Sequence, residues 1–283
     1  MKFEITHRLR YSYGGEVFLE PTCLRLKPRQ DPAQALESYS LSVSPRPAGM
    51  SESTDLFGNP QALLWFGRTQ PGLSLAATSR VETRLFDPFQ YLVTDLPVLS
   101  LPARYAPESR RALAPYLFRP QAGESVDQFA LALSRECVGN TLAFLRRAAL
   151  ALAGDFRPLK RPEGEPLPPP RTLARGEGAC RDLAALFIDL CRSLGLAARF
   201  VSGYHCPAGS GDAGELHAWA EVYLPGAGWR GWDPSLGLAV ADRHVALAAG
   251  PGHQDVAPVW GSYRGLSASR LEYQVEMTEL GGD

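Results

Sequence analysis

The sequence predicts an α+β protein built from two parts, because the spacing of its apolar residues changes along the chain. Up to about residue 85, apolar and polar residues alternate, which is typical of half-buried strands. From Val126 onward, apolar residues recur at helical spacing, which is typical of helices packed on one side. A strand hairpin follows these helices. We therefore expect an all-β domain over residues 1–100 and an α+β domain over residues 101–283.

The first domain is predicted to be a β-sandwich or barrel. Alternating stretches at 2–13, 24–26, 39–43 and 73–81 are separated by turn residues such as glycine, asparagine and proline. His7 falls on the apolar face of the first strand, where a packed histidine is more common than a ligand. No pair of side chains in this part has catalytic spacing, so we expect the domain to be structural or to position a substrate.

Composition narrows the possible partners. The net charge is −1 and no basic run occurs, so neither nucleic acid nor a membrane is predicted as a partner. The N-terminus lacks the basic and apolar regions of a signal peptide, and five cysteines, an odd number, fit free thiols. We therefore expect a cytoplasmic protein. Because the sequence has no CxxC pair and no calcium-loop pattern, neither a metal nor another cofactor is expected.

Two linking segments are rich in proline, and a third is rich in glycine. Prolines between Asp87 and Pro107 are expected to interrupt regular structure and to mark the passage between the domains. The segment 154–172 carries six prolines and is expected to be extended, partly mobile and able to form one wall of a cleft. A glycine-rich loop is expected over residues 207–214.

The most informative stretch is Gly176–Asp182, a glycine-rich turn that runs into a helix predicted over residues 180–194. Cys180 occupies the first turn of that helix. The positive end of a helix and a nearby imidazolium lower the pKa of a cysteine thiol, which makes it a nucleophile at neutral pH. The alternative is a small packed cysteine, which is the interpretation we give to Cys191 on the same helix and to Cys137 on an earlier one.

Residues 217–224 and 229–234 are predicted to form a hairpin that brings His217 near Asp233. Because side chains alternate along a strand, these two share a face only if a loop of three or five residues joins the strands. Asp233 then lies opposite Trp219 and diagonal to His217, with Cα atoms about 7–8 Å apart. A four-residue loop would place His217 and Asp233 on opposite faces.

Together these residues suggest a triad of Cys180, His217 and Asp233. His217 would take the thiol proton, and Asp233 would fix the tautomer of the ring and stabilise the imidazolium. Each residue also has an ordinary explanation, since a histidine can begin a strand and an aspartate can begin a turn before proline. Trp219 shares the face of His217, and we expect it either to line a substrate tunnel or to pack in the core.

The sequence resembles the bacterial transglutaminase-like family of the papain-like superfamily. The stretches that carry the resemblance are residues 24–29, 55–59, 178–182, 192–204, 217–222, 231–234 and 255–261. The stretches around Cys180, His217 and Asp233 match the family's three core motifs in order, and the resemblance covers nearly the whole chain. The C-terminal strands expected at 258–280 are counted with the core domain.

The resemblance implies a papain-like transglutaminase core, in which a helix bearing the nucleophile Cys180 packs against an antiparallel sheet. That sheet carries the base His217 and the orienting acid Asp233. Gly178 and Tyr204 lie in the matching motifs and are assigned to the cleft. The implied activity is acyl transfer on protein or peptide amides through a thioester, with either water or an amine as acceptor.

Two other classes of function stay open at this point. The chain can be a binding module that keeps the fold without catalysis. It can also be a metalloprotein that uses His205, Cys206 and His217, although adjacent ligands suit tetrahedral zinc poorly. One departure from the family pattern is Arg181, where glutamine is expected. It flanks the cleft and therefore concerns the choice of substrate more than the chemistry.

Overall fold

The computed structural model describes residues 1–161, 164–208 and 214–281, so residues 162–163 and 209–213 of the predicted linking segments lie outside it. The N-terminal region is β-rich, as the alternating pattern predicts. Its strands are β1 (Lys2–Leu19), β2 (Thr22–Leu24), β3 (Gln34–Ser44), β4 (Gly49–Thr54), β5 (Pro60–Trp65) and β6 (Thr69–Thr83).

The central region is mostly helical. Its elements are α1 (Pro107–Ala112), α2 (Ala114–Leu117), α3 (Glu124–Glu136), α4 (Thr141–Asp155), β7 (Arg157–Pro158), α5 (Pro169–Arg175), β8 (Glu177–Gly178) and α6 (Cys180–Ser193). Helical periodicity predicted α3, α4 and α6, and all three are present close to the expected positions. Among the helices of the described ranges, none is long and apolar enough to span a bilayer.

The last part of the chain returns to β structure. Its elements are β9 (Ala198–His205), β10 (Glu215–Leu224), β11 (Gly228–Asp233), β12 (Leu238–Ala239), β13 (His244–Gly250), α7 (His253–Val256), β14 (Val259–Trp260), β15 (Tyr263–Arg264) and β16 (Ser269–Leu280). Five of these strands form one sheet with the order β12-β11-β10-β9-β13. This antiparallel sheet and α6 form the core that the resemblance implies.

Two further sheets face each other in the N-terminal region. One has the order β15-β1-β6-β3, with β16 also paired to β1, and the other has the order β14-β2-β5-β4. Leu9, Leu73 and Leu75 of the first sheet pack with Leu24 and Leu64 of the second in one buried core. The predicted β-sandwich is therefore present.

The C-terminal strands join this sandwich and not the core domain with which the sequence analysis counted them. β16 pairs with β1 along its whole length, and Trp260 of β14 lies opposite Cys23 of β2. Alternation along a strand shows which face is buried, but it does not show which distant strand is the neighbour. The sequence pattern at 258–280 therefore predicted strands without predicting their partners.

A shared core joins the sandwich to the sheet that carries the predicted site. It consists of Phe3, Ile5, Val81 and Met277 from the N-terminal sheet together with Tyr204, Val245 and Leu247 from β9 and β13. His7 lies beside it, with Nδ1 3.1 Å from the Tyr204 hydroxyl. Burial lowers the pKa of His7 to about 4. His7 is thus a packed histidine.

Helix α6 is the centre of the second large core. Leu186, Phe187 and Leu190 are fully buried between the sheet and the surrounding helices. Cys191 is also fully buried, and burial raises the pKa of its thiol. It packs in the core, as predicted. The helix stops before Gly195, whose φ of 80° is a conformation that glycine adopts without strain.

The proline-rich segment 154–172 is only partly extended, because α5 begins within it. Pro169 and Pro170 occupy the first turn of α5, where proline is favoured by its fixed φ and where its missing N–H has no helical partner to lose. Gly176, with a φ of 61°, ends the helix. The prediction of an extended chain was therefore wrong over the last part of the segment.

We expect Met277→Ala to destabilise the protein, because Met277 is fully buried in the shared core. Loss of the side chain removes apolar burial and leaves a cavity, which costs about 2–5 kcal/mol. The measurement is the urea midpoint of unfolding. Met277→Leu keeps the volume and should cost less than about 1.5 kcal/mol. Equal midpoints for the wild type and Met277→Ala would contradict the role of β16 in this core.

Candidate active site

The hairpin of β10 and β11 brings His217 and Asp233 to one face of the central sheet. The two strands pair in a register that leaves residues 225–227 as the loop. This is the three-residue alternative considered from the sequence. Continuing the register by one residue places Asp233 opposite Trp219 and diagonal to His217. The length of the loop therefore decides that the two side chains can meet.

His217 is held between Asp233 and Cys180. Its Nε2 donates a hydrogen bond to Asp233 Oδ2 at 2.7 Å. The Cys180 thiol lies within hydrogen-bonding reach of the same ring. Because Nε2 faces Asp233, the nitrogen left for the thiol is Nδ1. The structure thus brings the three predicted residues together in the order thiol, imidazole, carboxylate.

The charge of His217 is set by these two neighbours. Burial alone would lower the pKa of the His217 imidazole, but the hydrogen bonds and charges of Asp233 and Cys180 outweigh burial and raise it to about 10. His217 is therefore an imidazolium at neutral pH. A positive charge beside a thiol favours the thiolate, which is the nucleophilic form of cysteine.

The Asp233 carboxylate is fully buried and accepts hydrogen bonds at both oxygens. Oδ1 accepts from the backbone N–H groups of Ser235 and Leu236 and from the Ser235 hydroxyl, at 2.9, 3.2 and 2.7 Å. Oδ2 accepts from His217 and from a second histidine, His244, at 3.0 Å. Burial would raise the pKa of Asp233, but the hydrogen bonds and charges of the two histidines hold it well below its usual range.

Three histidine rings cluster around Asp233. The centroid of the His205 ring lies 5.4 Å from that of His217 and 4.7 Å from that of His244. Glu215 Oε1 lies 3.6 Å from His217 Nδ1 and 3.9 Å from His205 Nδ1. The proximity of His205 lowers the pKa of the Glu215 carboxyl, against the opposing effect of burial. The site therefore contains more titratable groups than the triad alone.

One group of residues in the described ranges has the spacing of a metal site. His217, Asp233 and His244 each offer one ligand atom, and these atoms lie within 4.8 Å of one another. The Nε2–H groups of both histidines donate hydrogen bonds to Asp233. A metal bound at these atoms would have to displace both protons. Cys206, which the alternative metal site would require, directs its thiol to the Met277 carbonyl oxygen at 4.0 Å.

Cys180 is the first residue of α6, and Asp182 fixes this end of the helix. The fully buried Asp182 carboxylate accepts hydrogen bonds from the backbone N–H groups of Ala179 and Leu167, each at 2.8 Å. It also pairs with Arg161. Asp182 therefore ties the proline-rich segment to the start of the helix, which is a structural role.

A cavity of about 350 Å³ opens beside Cys180 and His217. The apolar residues of its lining are Phe200, Leu216, Ala218, Val256, Ala257, Pro258 and Trp260. Glu165 and Pro166 of the proline-rich segment line another part, so this segment forms a wall of the cleft. Glu165 Oε2 lies 3.7 Å from His253 Nε2, which connects that wall to α7.

Trp219, Tyr204 and Gly178, which the sequence analysis placed in the cleft, lie away from this cavity. Trp219 is buried in a small core with Val201, so its packed-core alternative is the one observed. Tyr204 belongs to the core shared with the N-terminal sheet. Gly178 lies against α6, where a Cβ would approach the Asp182 Cβ to 2.9 Å. Strand alternation predicted which residues share a face, but not what covers each face.

Sequence reasoning missed His244. It is the first residue of β13 and lies opposite His205 of β9. No motif or spacing along the chain connects His244 to Asp233, because their contact depends on the order of strands in the sheet. The available signal was weak: a histidine that precedes a run of small apolar residues typical of a buried strand.

Known proteins match this chain along most of its length. Residues 3–82 match the bacterial transglutaminase-like N-terminal region, and residues 132–234 match the transglutaminase-like superfamily. The second stretch contains Cys180, His217 and Asp233. Together the two stretches take in more than half of the chain. The chain belongs to the bacterial transglutaminase-like family.

Similar proteins extend the match to the whole chain. Uncharacterised proteins of Mycobacterium bovis and Mycobacterium tuberculosis are each 29% identical over 304 residues, which cover 100% of this chain and 94% of theirs. The crystal structure of a candidate cysteine protease from Cytophaga hutchinsonii has a TM-score of 0.76 and 22% identity, and covers 100% of this chain and 92% of that one. The similarity to this crystal structure confirms the fold.

We expect Asp233→Asn to lower the pKa of His217, because the substitution removes the negative charge that favours the imidazolium. The titration midpoint of His217 should fall from about 10 by roughly two pH units or more. The measurement is an NMR titration of the histidine rings, of which the chain has only five. Asp127→Asn, which removes an exposed carboxylate paired with Arg119, is the control. An unchanged midpoint in Asp233→Asn would contradict the assigned contact.

Proposed function

We propose that this protein is a cysteine enzyme that transfers the acyl group of protein or peptide amides through a thioester. Cys180 is the nucleophile, His217 the general acid and base, and Asp233 the residue that orients the ring. The observation that carries this proposal is the His217 ring placed between the buried Asp233 carboxylate, at 2.7 Å, and the Cys180 thiol. Membership of the transglutaminase-like superfamily supports the same class of chemistry.

The reaction proceeds in two steps. In the first, the Cys180 sulfur attacks the amide carbonyl carbon, the C–N bond breaks, and His217 gives its proton to the leaving amine. In the second, water or an amine loses a proton to His217 and attacks the thioester, and the S–C bond breaks. The thiolate and the imidazolium are then restored. Hydrolysis and transamidation differ only in the acceptor of the second step.

Two features of the fold assist these steps. The ionised Asp233 holds the proton on His217 Nε2, so Nδ1 is the nitrogen that exchanges protons with sulfur, leaving group and acceptor. The backbone N–H of Cys180 belongs to the first turn of α6, where N–H groups have no partner inside the helix. It is the donor that we assign to the developing oxyanion.

The cavity indicates the class of acyl group. Its apolar lining favours a peptide with an apolar side chain near the reacting carbonyl. Trp260 lines the cavity from β14, which β2 of the N-terminal sandwich holds in place. We therefore propose that the N-terminal domain, residues 1–100, positions the substrate wall, while residues 101–283 supply the catalytic residues.

We expect Cys180→Ser and His217→Ala each to lower turnover of peptide amides by about 10³-fold or more, because each removes a group that takes part in bond making. The assay is release of amine from a library of fluorogenic peptide amides with varied apolar side chains. Cys191→Ala is the matched control, since it changes a buried cysteine of the same helix. Adding a fluorescent primary amine distinguishes transamidation from hydrolysis by the mass of the product.

The thiol itself provides a test that needs no substrate. Alkylation by iodoacetamide at about pH 6, followed by mass spectrometry, should label Cys180 well before Cys23, because an imidazolium favours the thiolate in mild acid. Equal labelling rates for the two cysteines would show that the proposed ion pair is absent. Turnover retained by Cys180→Ser would show that another residue is the nucleophile.

We expect Trp260→Ala to raise KM for peptides with apolar side chains by roughly fivefold, which corresponds to loss of about 1 kcal/mol of aromatic contact. Because Trp260 lines the cavity and is not one of the three proposed catalytic residues, kcat should change little. Steady-state kinetics with paired apolar and polar peptides measure this. An equal change in KM for both peptides would argue against an apolar subsite at Trp260.

A further inference from the structure

Two histidines bind the same oxygen of Asp233. His217 Nε2 donates to Oδ2 at 2.7 Å, and His244 Nε2 donates to it at 3.0 Å. His244 begins β13, which β9 and β10 separate from β11 in the sheet. Its ring therefore extends across two strands. A Cβ at Gly203 of β9 would come within 2.5 Å of the Trp219 ring, so the absence of a side chain there leaves room for Trp219.

His244 is held as a neutral donor. Its ring is buried, and its Nδ1 has no hydrogen-bond partner among the residues that the structure describes. A proton on Nδ1 would be buried without an acceptor, which is costly. Burial lowers the pKa of His244, against the opposing effect of Asp233. The Trp219 indole meets the ring edge-on, with centroids 5.2 Å apart, and fixes its orientation.

We propose that His244 is a positioning residue that acts through Asp233: its N–H takes up part of the carboxylate charge, so that His217 releases its proton more readily. The inference rests on the proposed acyl transfer. A hydrogen bond to an ionised carboxylate stabilises that charge and weakens its hold on a second proton. In the first step of the reaction, His217 must give its proton to the leaving amine. A proton held too tightly would slow that step.

Among the residues that the structure describes, the other titratable groups that face this pair come from three elements. They are the Cys180 thiol of α6, the Glu215 carboxyl of β10 and the His205 imidazole of β9. All three stay unchanged in the variants below. A change in the titration of His217 therefore reports on the substitution at His244.

The test compares His244→Phe, which keeps a ring without a donor, with His244→Gln, which keeps an N–H donor. In His244→Phe, the NMR titration midpoint of His217 should rise by about one pH unit, because Asp233 is no longer shared. The value of kcat for a peptide amide should fall roughly tenfold, with KM within about twofold of the wild type. His244→Gln should restore most of both values. A role in packing alone would not move the midpoint upward.

Three results would overturn the inference. The first is a His217 midpoint in His244→Phe that is unchanged or lower. The second is a charged His244 ring in the wild type at neutral pH, which ¹⁵N NMR detects without any variant. The third is a stoichiometric metal ion in the purified protein, because a metal bound to His217, Asp233 and His244 would replace both N–H donors.

Measurements on the wild-type protein distinguish a failure of this inference from a failure of the proposed function. If His217 is uncharged at neutral pH and Cys180 is alkylated no faster than Cys23, the proposed function fails whatever the His244 variants do. If both wild-type properties are present and His244→Phe matches the wild type, only the role of His244 fails.

Discussion

The buried charge of Asp233 is the constraint on which the site depends. An ionised carboxylate removed from water costs several kcal/mol unless donors surround it. The turn that follows Asp233 supplies the donors for Oδ1. Those for Oδ2 come from His217 on β10 and His244 on β13, so three strands must be in register before the charge is satisfied. The ionised state of Asp233 therefore depends on the correct pairing of the strands in this sheet.

The N-terminal sandwich contributes to that register. β13 is the last strand of its sheet, and an edge strand normally has unpaired backbone groups. Here the side-chain amide of Gln34 bonds to both backbone groups of Ala246, and that of Asn59 bonds to both backbone groups of Ala249. These amides take the place of a neighbouring strand. Since β13 begins with His244, the N-terminal domain holds the strand that supplies the second donor to Asp233.

Local patterns in the sequence predicted most of the elements and the proximity of Cys180, His217 and Asp233, but they did not predict contacts between distant strands. Helical spacing placed Cys180 at the start of a helix, and alternation limited the loop lengths that let His217 meet Asp233. Neither pattern contains the order of strands in a sheet. For that reason His244 was missed, and the sequence did not decide whether Trp219 lines a cleft or packs in the core, where it lies with other buried residues.

The electrostatics of the site depend on the charged groups on either side of His217, which are Asp233 at one nitrogen and the start of α6 with Arg181 near Cys180. Asp233 is negative and its hydrogen bond favours the positive form of His217, which faces the Cys180 thiol on its other side. Cys180 is the first residue of α6, where the helix end carries partial positive charge, and Arg181 lines the same cavity as Cys180 and His217. Burial and the nearby Arg161 lower the pKa of Arg181, and the charge of Cys180 opposes that change. A guanidinium supplies a full positive charge where the glutamine expected from the family pattern would supply only a dipole. In the proposed mechanism Arg181 therefore favours the negative form of Cys180, while Asp233, which accepts hydrogen bonds from two histidines, holds the His217 proton less tightly.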